Sequence, residues 1–237
     1  MILSLDQTVG ETVAQDYRAA SVFRTNGIDF CCKGGRSIRQ ACAEKGIAPE
    51  TLLAQLQTAL TAAPSAEPDY RAWPLDLLAD YVVKKHHRYV QEKLPELLQY
   101  LDKLCKAHGE RHPELFEIRE EFGHVADELA AHMQKEEHVL FPYVSRLATE
   151  RQPPRPPFGT VENPIRMMMH EHPVEGDRFA RIAKLTDEYT PPADACATYR
   201  VAFALLREFE EDLHQHIHLE NNIMFPRAIE SEKNAFA

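Results

Sequence analysis

The sequence predicts an all-α fold, an antiparallel four-helix bundle that follows a small helical N-terminal domain. Strand signals are almost absent, since the 237 residues include only 9 glycines and few alternating β-branched runs. Long stretches of Leu, Ala, Glu, Lys and Gln favour helices instead. A proline stands at or near the start of each of the four longest patterns, where the first turn has no intrahelical use for its N–H groups.

Two proline-rich breaks, at residues 61–68 and 152–157, organise the chain. The first predicts a linker over 61–73, which separates an N-terminal domain at 1–60 from the bundle at 74–230. In the small domain, Ser37 and Gln40 have the spacing of a capping box, and Pro49 opens a short helix. Phe30-Cys-Cys-Lys-Gly-Gly35 predicts a tight loop.

The four long helices are each expected to begin at or near a proline. Short or proline-rich connections between helices of this length are typical of antiparallel neighbours. The predicted bounds are about Pro74 to Ala107, Pro113 to Leu147, Pro164 (with Asn163 as the cap) to Tyr189, and Pro192 to Ile229.

Charge and composition exclude several classes of function. The net charge of −10, from 37 acidic and 27 basic residues, disfavours nucleic acid and anionic membranes as partners. No apolar stretch approaches the roughly 18 residues of a membrane span, and no basic leader precedes Asp6. Five cysteines, two of them adjacent, do not form a disulfide framework. We therefore expect a soluble cytoplasmic protein.

The most informative motif is a His-xxx-Glu pair that occurs twice. His132 and His216 are 84 residues apart, as are Glu136 and Glu220, and a Phe-Pro dipeptide follows each pair at the same distance. Four-residue spacing puts both side chains of a pair on one helical face. A single such pair is usually a solvated surface ion pair, so its position relative to the core decides its meaning.

The apolar stripes place both pairs toward the core. In the second and fourth helices the stripe passes through the His and Glu with steps of three or four residues. The stripe residues are Ile118, Phe122, Val125, Leu129, Leu140 and Tyr143 in the second helix, and Ala202, Leu206, Phe209, Leu213 and Ile223 in the fourth.

The other two helices each add a histidine. In the third, His172 lies in a seam of Ile165, Met169, Gly176, Phe179 and Ala183. The first helix has two competing stripes, one through His87 and one through His86, so the pattern leaves both open.

Burying two carboxylates and several imidazoles together costs several kcal/mol per ion, unless cations compensate them. We therefore predict a two-metal site, for which imidazole and carboxylate ligands favour iron, manganese or zinc. A rival pattern is Glu-xx-His, the ferritin-type spacing, at Glu121/His124 and Glu211/His214. Both pairs fall off the apolar stripes, so we interpret them as solvated groups or as groups that surround the ligands.

These residues resemble the YtfE/ScdA family, hemerythrin-like di-iron proteins that repair iron–sulfur clusters after nitrosative and oxidative stress. The Cys-Cys unit joined to a His/Glu bundle is specific to that family, whereas His-xxx-Glu alone is not. The stretches that carry the resemblance are Phe30-Cys-Cys-Lys-Gly-Gly35, Leu94-Pro-Glu-Leu97, His132-Met-Gln-Lys-Glu-Glu137 with Leu140-Phe-Pro142, and His216-Ile-His-Leu-Glu-Asn-Asn222 with Phe225-Pro-Arg-Ala228.

The resemblance implies a ligand set and a fold of the hemerythrin kind. His87 is favoured over His86 because it lies seven residues before Leu94-Pro-Glu-Leu97, as the family pattern implies. The implied metal ligands are His87, His132, His172 and His216, with Glu136 and Glu220 as bridging carboxylates. The implied cofactor is a pair of iron ions in a non-haem, oxo- and carboxylate-bridged centre.

The implied function is repair of damaged iron–sulfur proteins, through nitric oxide binding and reduction to nitrous oxide, through iron donation, or both. The resemblance also implies a homodimer and a redox or iron-handling role for Cys31 and Cys32, with inert packing as the alternative. Arg24, Lys33 and Arg36 are nearby cations that would stabilise a thiolate. Two alternatives remain at this point: an oxygen or nitric oxide carrier or sensor without turnover, and a structural zinc or manganese bundle.

Four further expectations concern individual residues or small sets of residues. Pro173 should kink the third helix beside His172. Asp212 and Glu128, each one turn before a ligand histidine, are candidates to surround the metal ligands. His112, His138, His170 and His218 are expected on the surface, and Cys42, Cys105 and Cys196 in packing positions.

Overall fold

The computed structural model describes residues 3–61 and 68–237. These residues are helical apart from turns, loops and one isolated β-bridge between Thr8 and Ser37, which confirms the all-α prediction. Of the predicted linker, residues 62–67 lie outside the described residues. In the described parts of the chain, no helix combines the length and hydropathy that crossing a membrane requires.

Four short helices form the N-terminal part: α1 Val9–Gln15, α2 Arg18–Thr25, α3 Ile38–Lys45 and α4 Pro49–Thr61. The predicted capping box is confirmed, since the Ser37 hydroxyl accepts from the Gln40 N–H and the Gln40 side chain accepts from the Ser37 N–H. Thr8 and Glu11 make the same motif at the start of α1.

Four long helices follow, and three of them contain an internal π-helical segment. Helix α5 consists of Leu75–Tyr81, the π segment Val82–His87 and Arg88–His108. Helix α6 consists of Glu114–Lys135, the π segment Glu136–Leu140 and Phe141–Thr149. Helix α7 is Glu162–Leu185, and α8 consists of Ala197–Leu219, the π segment Glu220–Met224 and Phe225–Phe236.

Two predicted helix starts are wrong. Helix α7 begins at Glu162 after Val161, so Asn163 is not the cap and instead donates to the Phe158 carbonyl. Helix α8 begins at Ala197 rather than near Pro192. Helix α7 ends at Leu185, short of the predicted Tyr189, and residues 187–189 after it take positive φ angles that are incompatible with a continued right-handed helix.

The chain divides into two compact units. The first contains residues 1–78, 145–154 and 217–237, and the second contains 79–144 and 155–216. Large apolar side chains such as Phe23, Ile28 and Leu52 are fully buried in the first unit.

The second unit is built around aromatic contacts between its long helices. Phe122 of α6, Phe179 of α7 and Phe209 of α8 form a cluster with ring centroids 5.5 to 6.4 Å apart. Tyr89 of α5 lies 5.9 Å from Phe209, so all four helices meet in one core.

The seam predicted for α7 is confirmed at Ile165, His172, Phe179 and Ala183, which are buried, but is wrong at Met169. Met169 is 44% exposed, whereas Met168 and Glu175 are buried with His172. The observed stripe of Ile165, Met168, His172, Glu175, Phe179 and Ile182 keeps strict steps of three and four. The α7 helix continues through Pro173.

Candidate metal centre

The π-helical segments coincide with the predicted ligands. His87 is the last residue of the segment in α5, and Glu136 and Glu220 each begin the segment in their helix. A π turn inserts one residue into an α-helix and rotates the side chains that follow it, and such turns are frequent at functional sites. The 84-residue repeat in the sequence is therefore also a repeat in backbone geometry.

All six predicted ligands are buried, with no residue more than 4% exposed. The set comprises His87, His132, Glu136, His172, His216 and Glu220. Charged groups buried to this degree need partners of opposite charge, because an uncompensated carboxylate in a protein core is strongly destabilising.

Glu136 lies between two imidazoles. One of its carboxylate oxygens is 3.3 Å from Nε2 of His87, and the other is 3.3 Å from Nε2 of His132. A carboxylate placed in this way would hold two cations with one oxygen each, beside the imidazole that faces that oxygen.

The other ring nitrogens of the same histidines contact carboxylates. His132 Nδ1 is 2.8 Å from Glu171, and His87 Nδ1 is 2.8 Å from Glu137. The hydrogen bond from His132, together with Lys135, lowers the pKa of Glu171 to about 2, so this carboxylate is ionised and accepts. Proton donation from Nδ1 leaves the Nε2 lone pair for a metal ion, as is usual for metal-bound histidines.

Glu137 and Glu171 are partners of the histidines that the sequence pattern did not predict. Each is directly adjacent in sequence to a predicted ligand, Glu137 after Glu136 and Glu171 before His172. That adjacency was the available signal, but helical periodicity points neighbouring residues in different directions and so gave no reason to pair them across helices.

The candidate ligands form two groups that share both carboxylates. The division between the units falls inside α8, between His216 and Ile217, so Glu220 stands on the next turn of an unbroken helix. Within each group the ligand atoms lie within 4.8 Å of one another. The groups are His87, Glu136, His216 and Glu220, and His132, Glu136, His172 and Glu220.

His86 is buried beside this centre but belongs to neither group. Its Nδ1 atom lies 3.0 Å from Asp212, and its ring stacks on His216 with centroids 5.5 Å apart. Asp212 thus supports an imidazole that neighbours the ligands. Glu128, the other carboxylate expected near the ligands, instead forms an ion pair with Arg178.

Glu121, one member of the rival Glu-xx-His pattern, is paired with arginines. Glu121 forms ion pairs with Arg178 and Arg181, each at 3.0 Å. These contacts neutralise its charge without a metal, in agreement with the interpretation of Glu121 as a group outside the ligand set.

A groove of about 340 Å³ opens next to His132, and its lining includes Lys135, Glu171, Val174 and Glu175. Glu175 is only 4% exposed, and burial together with a hydrogen bond to Glu128 raises its pKa to about 8. Glu175 is therefore a protonated carboxyl at neutral pH.

The Cys-Cys loop belongs to the first unit, where α8 holds it. The side-chain amides of Asn221 and Asn222 donate to the carbonyls of Cys31 (3.1 Å) and Phe30 (3.2 Å) respectively. A Cβ at Gly34 would lie 2.5 Å from the Asn222 side chain and 2.6 Å from the Phe30 carbonyl, so only glycine allows this approach. The loop is thus attached to the turn that directly follows Glu220.

The surface prediction for His218 is wrong, whereas His138 and His170 are exposed as expected. His218 is 1% exposed and packs against the rings of Tyr17 and Phe30 in the first unit. Burial lowers its pKa to about 3, so the ring is neutral, and its Nδ1 accepts from Asn222 at 3.1 Å.

The cysteines also depart from expectation. Hydrogen bonding to Cys32 and burial raise the pKa of the Cys31 thiol, so the neighbouring cations do not make it a thiolate. Arg36 instead binds Glu44 and the carbonyls of Lys33 and Asp29. Cys42 is buried as predicted, but Cys196 is exposed.

Comparison with known proteins agrees with this arrangement. Residues 78–228 match the hemerythrin HHE cation-binding domain, and residues 5–60 match ScdA_N, a domain of unknown function (DUF542). The chain is 36% identical over 227 residues to the iron-sulfur cluster repair protein YtfE of Musicola paradisiaca, covering 96% of this chain and 98% of that protein. The chain belongs to the YtfE family.

Similar relationships extend to other bacteria. The YtfE proteins of Yersinia pestis (strain Pestoides F) and Yersinia pseudotuberculosis serotype O:1b are 34% and 33% identical over the same coverage. The alignments therefore include both domains of the chain and nearly the full length of these YtfE relatives. The cation-binding family and the buried His/Glu groups together indicate that this YtfE-family chain binds metal.

Proposed function

We propose that the chain binds two iron ions in the buried His/Glu centre and acts in the repair of iron–sulfur clusters. The placement of Glu136, with one oxygen facing His87 and the other facing His132, carries this proposal. The repair role is supported by the names of the relatives, which are 33–36% identical along almost the whole chain.

The two groups of candidate ligands correspond to the two ions. His87 and His216 would hold one ion, and His132 and His172 the other, while Glu136 and Glu220 are shared. A set of six imidazole and carboxylate ligands without thiolates fits iron. Because each ion would have two imidazoles and the shared carboxylates, coordination positions on it would stay open to small molecules. Two adjacent iron ions supply electrons and Lewis acidity for ligands such as nitric oxide or O2.

The chain's own residues prepare this chemistry. Glu171 and Glu137 fix the tautomer and orientation of His132 and His87, so that each Nε2 is available before an ion arrives. The groove beside His132 gives small molecules a route toward the centre, and the protonated Glu175 at its wall is a source of protons.

Cluster repair is tested with an iron–sulfur hydratase inactivated by nitric oxide or peroxide. The purified iron-loaded chain should restore hydratase activity, whereas Glu136→Leu, with helical content unchanged, should not. Glu120→Leu, an exposed position on the same helix, is the matched control and should repair as wild type. Equal repair by Glu136→Leu would contradict the proposal.

Turnover of nitric oxide is tested separately. Adding nitric oxide to the anaerobic, reduced chain should release nitrous oxide into the headspace. No nitrous oxide, together with intact repair, would leave iron donation as the mechanism. Reversible oxygen uptake with a stable oxygenated spectrum and no repair would favour a carrier of the hemerythrin kind.

We also propose that the chain is a homodimer and that its clients are damaged iron–sulfur proteins. Sedimentation velocity should give a species of twice the chain mass of 27.1 kDa. A single species at the chain mass would contradict the dimer.

A further inference from the structure

We propose that Asp29, Cys31 and Cys32 form a second metal site, which binds one divalent transition-metal ion through two thiolates and a carboxylate. The site lies in the first unit, in the loop between α2 and α3. It shares no residue with the His/Glu centre, and the proposal holds whether or not that centre carries iron.

The spacing of the three donors fits a common ion. The sulfurs of Cys31 and Cys32 are 3.5 Å apart, and the Cys31 sulfur is 3.5 Å from Oδ1 of Asp29. A tetrahedral ion with sulfur at ~2.3 Å and oxygen at ~2.1 Å requires edges of about 3.8 Å and 3.6 Å. The two measured separations therefore need to lengthen by only a few tenths of an ångström, and the third pair, the Cys32 sulfur and an Asp29 oxygen, lies within 4.8 Å.

Hydrogen bonds fix the loop in this geometry before an ion binds. Oδ1 of Asp29 accepts from the backbone N–H groups of Cys31 (3.1 Å) and Cys32 (2.9 Å), which holds the carboxylate beside both residues. The side-chain amides of Asn221 and Asn222 donate to the Cys31 carbonyl. A site built on a fixed backbone loses little conformational entropy when it binds its ion.

The charge of the donors favours a cation at this site. Cys31 is 3% exposed, and the pKa of its thiol is raised by Cys32, by burial and by the Asp29 charge. A divalent ion bound by the two sulfurs replaces their thiol protons, which pass to solvent, so the affinity for the ion rises with pH.

The donor set selects the class of ion. Two sulfurs and one oxygen favour ions of intermediate softness, such as Fe²⁺, Zn²⁺ or Co²⁺, over Mg²⁺ and Ca²⁺. Asp29 and Cys32 are only half-buried, so the fourth coordination position is open to water.

The test is a Co²⁺ titration of the full reduced chain, because thiolate ligands give a near-ultraviolet charge-transfer band that imidazole and carboxylate ligands lack. We expect the band to saturate at one equivalent of thiolate-bound cobalt and to disappear in Cys31→Ser and in Cys32→Ser. Asp29→Asn keeps the oxygen that accepts the two N–H groups but removes the charge, and should weaken binding by about tenfold or more.

Controls separate this site from the others. Cys196→Ser and Cys105→Ser, an exposed and a half-buried cysteine elsewhere in the chain, should keep the band. Glu136→Leu should keep it too, so a failure of the iron proposal does not remove it. A wild-type chain without the band, or a band that survives in both Cys31→Ser and Cys32→Ser, would overturn the proposal.

Discussion

The Nε2 atoms of His132 and His172 lie 3.2 Å apart in the buried interior of the second unit. Two imidazoles bound to one ion at ~2.1 Å have nitrogens about 3.0–3.4 Å apart, so this separation suits a shared ion. Because His132 Nδ1 faces the ionised Glu171, its Nε2 is the nitrogen that presents a lone pair toward His172.

We predict that His172→Ala lowers the metal bound by the His/Glu centre from two ions to about one per chain, since one group loses an imidazole that the other does not use. His170→Ala is the control, because His170 lies on the same helix two residues earlier and is exposed. Metal content by mass spectrometry, with circular dichroism to verify the helices, decides the matter. Two ions retained in His172→Ala would refute its assignment.

A second prediction distinguishes the role of His87 from that of His86. His87→Ala should reduce metal content, because His87 faces Glu136, whereas His86→Ala should retain both ions. His86 is bonded to Asp212, so its replacement is expected to affect stability rather than stoichiometry. Loss of metal in His86→Ala with full retention in His87→Ala would reverse the assignment.

Much of the centre could be predicted from the sequence because its ligands lie on helical stripes. His132, Glu136, His216 and Glu220 repeat at constant spacing, and the periodicity of 3.6 residues directs them inward. The stripes could not separate His86 from His87, because the π segment that contains both buries both.

Other features depend on contacts between segments distant in sequence. His218 is two residues from a ligand and was expected on the surface, but residues of the N-terminal domain cover it. The supporting carboxylates Glu137 and Glu171 likewise reach histidines of other helices. Local periodicity carries no information on such pairings.

A third prediction concerns the loop contact with α8. Gly34→Ala should destabilise the chain by about 1–3 kcal/mol, because the added Cβ would overlap the Asn222 side chain and the Phe30 carbonyl. Gly35→Ala is the matched control, since a Cβ there meets nothing within 4 Å. Urea unfolding measures both, and equal free energies of unfolding for the two variants would contradict the close approach.

A fourth prediction follows from the raised pKa of Glu175, which is about 8 in the folded chain against 4.5 as the ordinary value. Between these values the unfolded carboxyl has lost its proton while the folded one keeps it, so stability falls as pH rises from about 4.5 to 8. Glu175→Gln can donate to Glu128 without titrating. It should therefore melt at least 2–4 °C (roughly 1 kcal/mol) above wild type at pH 8.

At pH 4.5 the two proteins should melt at similar temperatures. Glu162→Gln, at an exposed position of the same helix, should follow the wild-type profile at every pH. A Glu175→Gln variant whose melting temperature tracks that of wild type across this range would show that Glu175 is ionised in the fold.

The proposed centre holds two adjacent iron ions that share Glu136 and Glu220. Mössbauer spectroscopy of the chain purified anaerobically from cells grown with ⁵⁷Fe, combined with iron and protein quantification, tests it most directly. We predict two irons per chain in a magnetically coupled pair, with no thiolate-ligated component from the bundle. Zinc or manganese in place of iron, or a single uncoupled iron, would contradict the account.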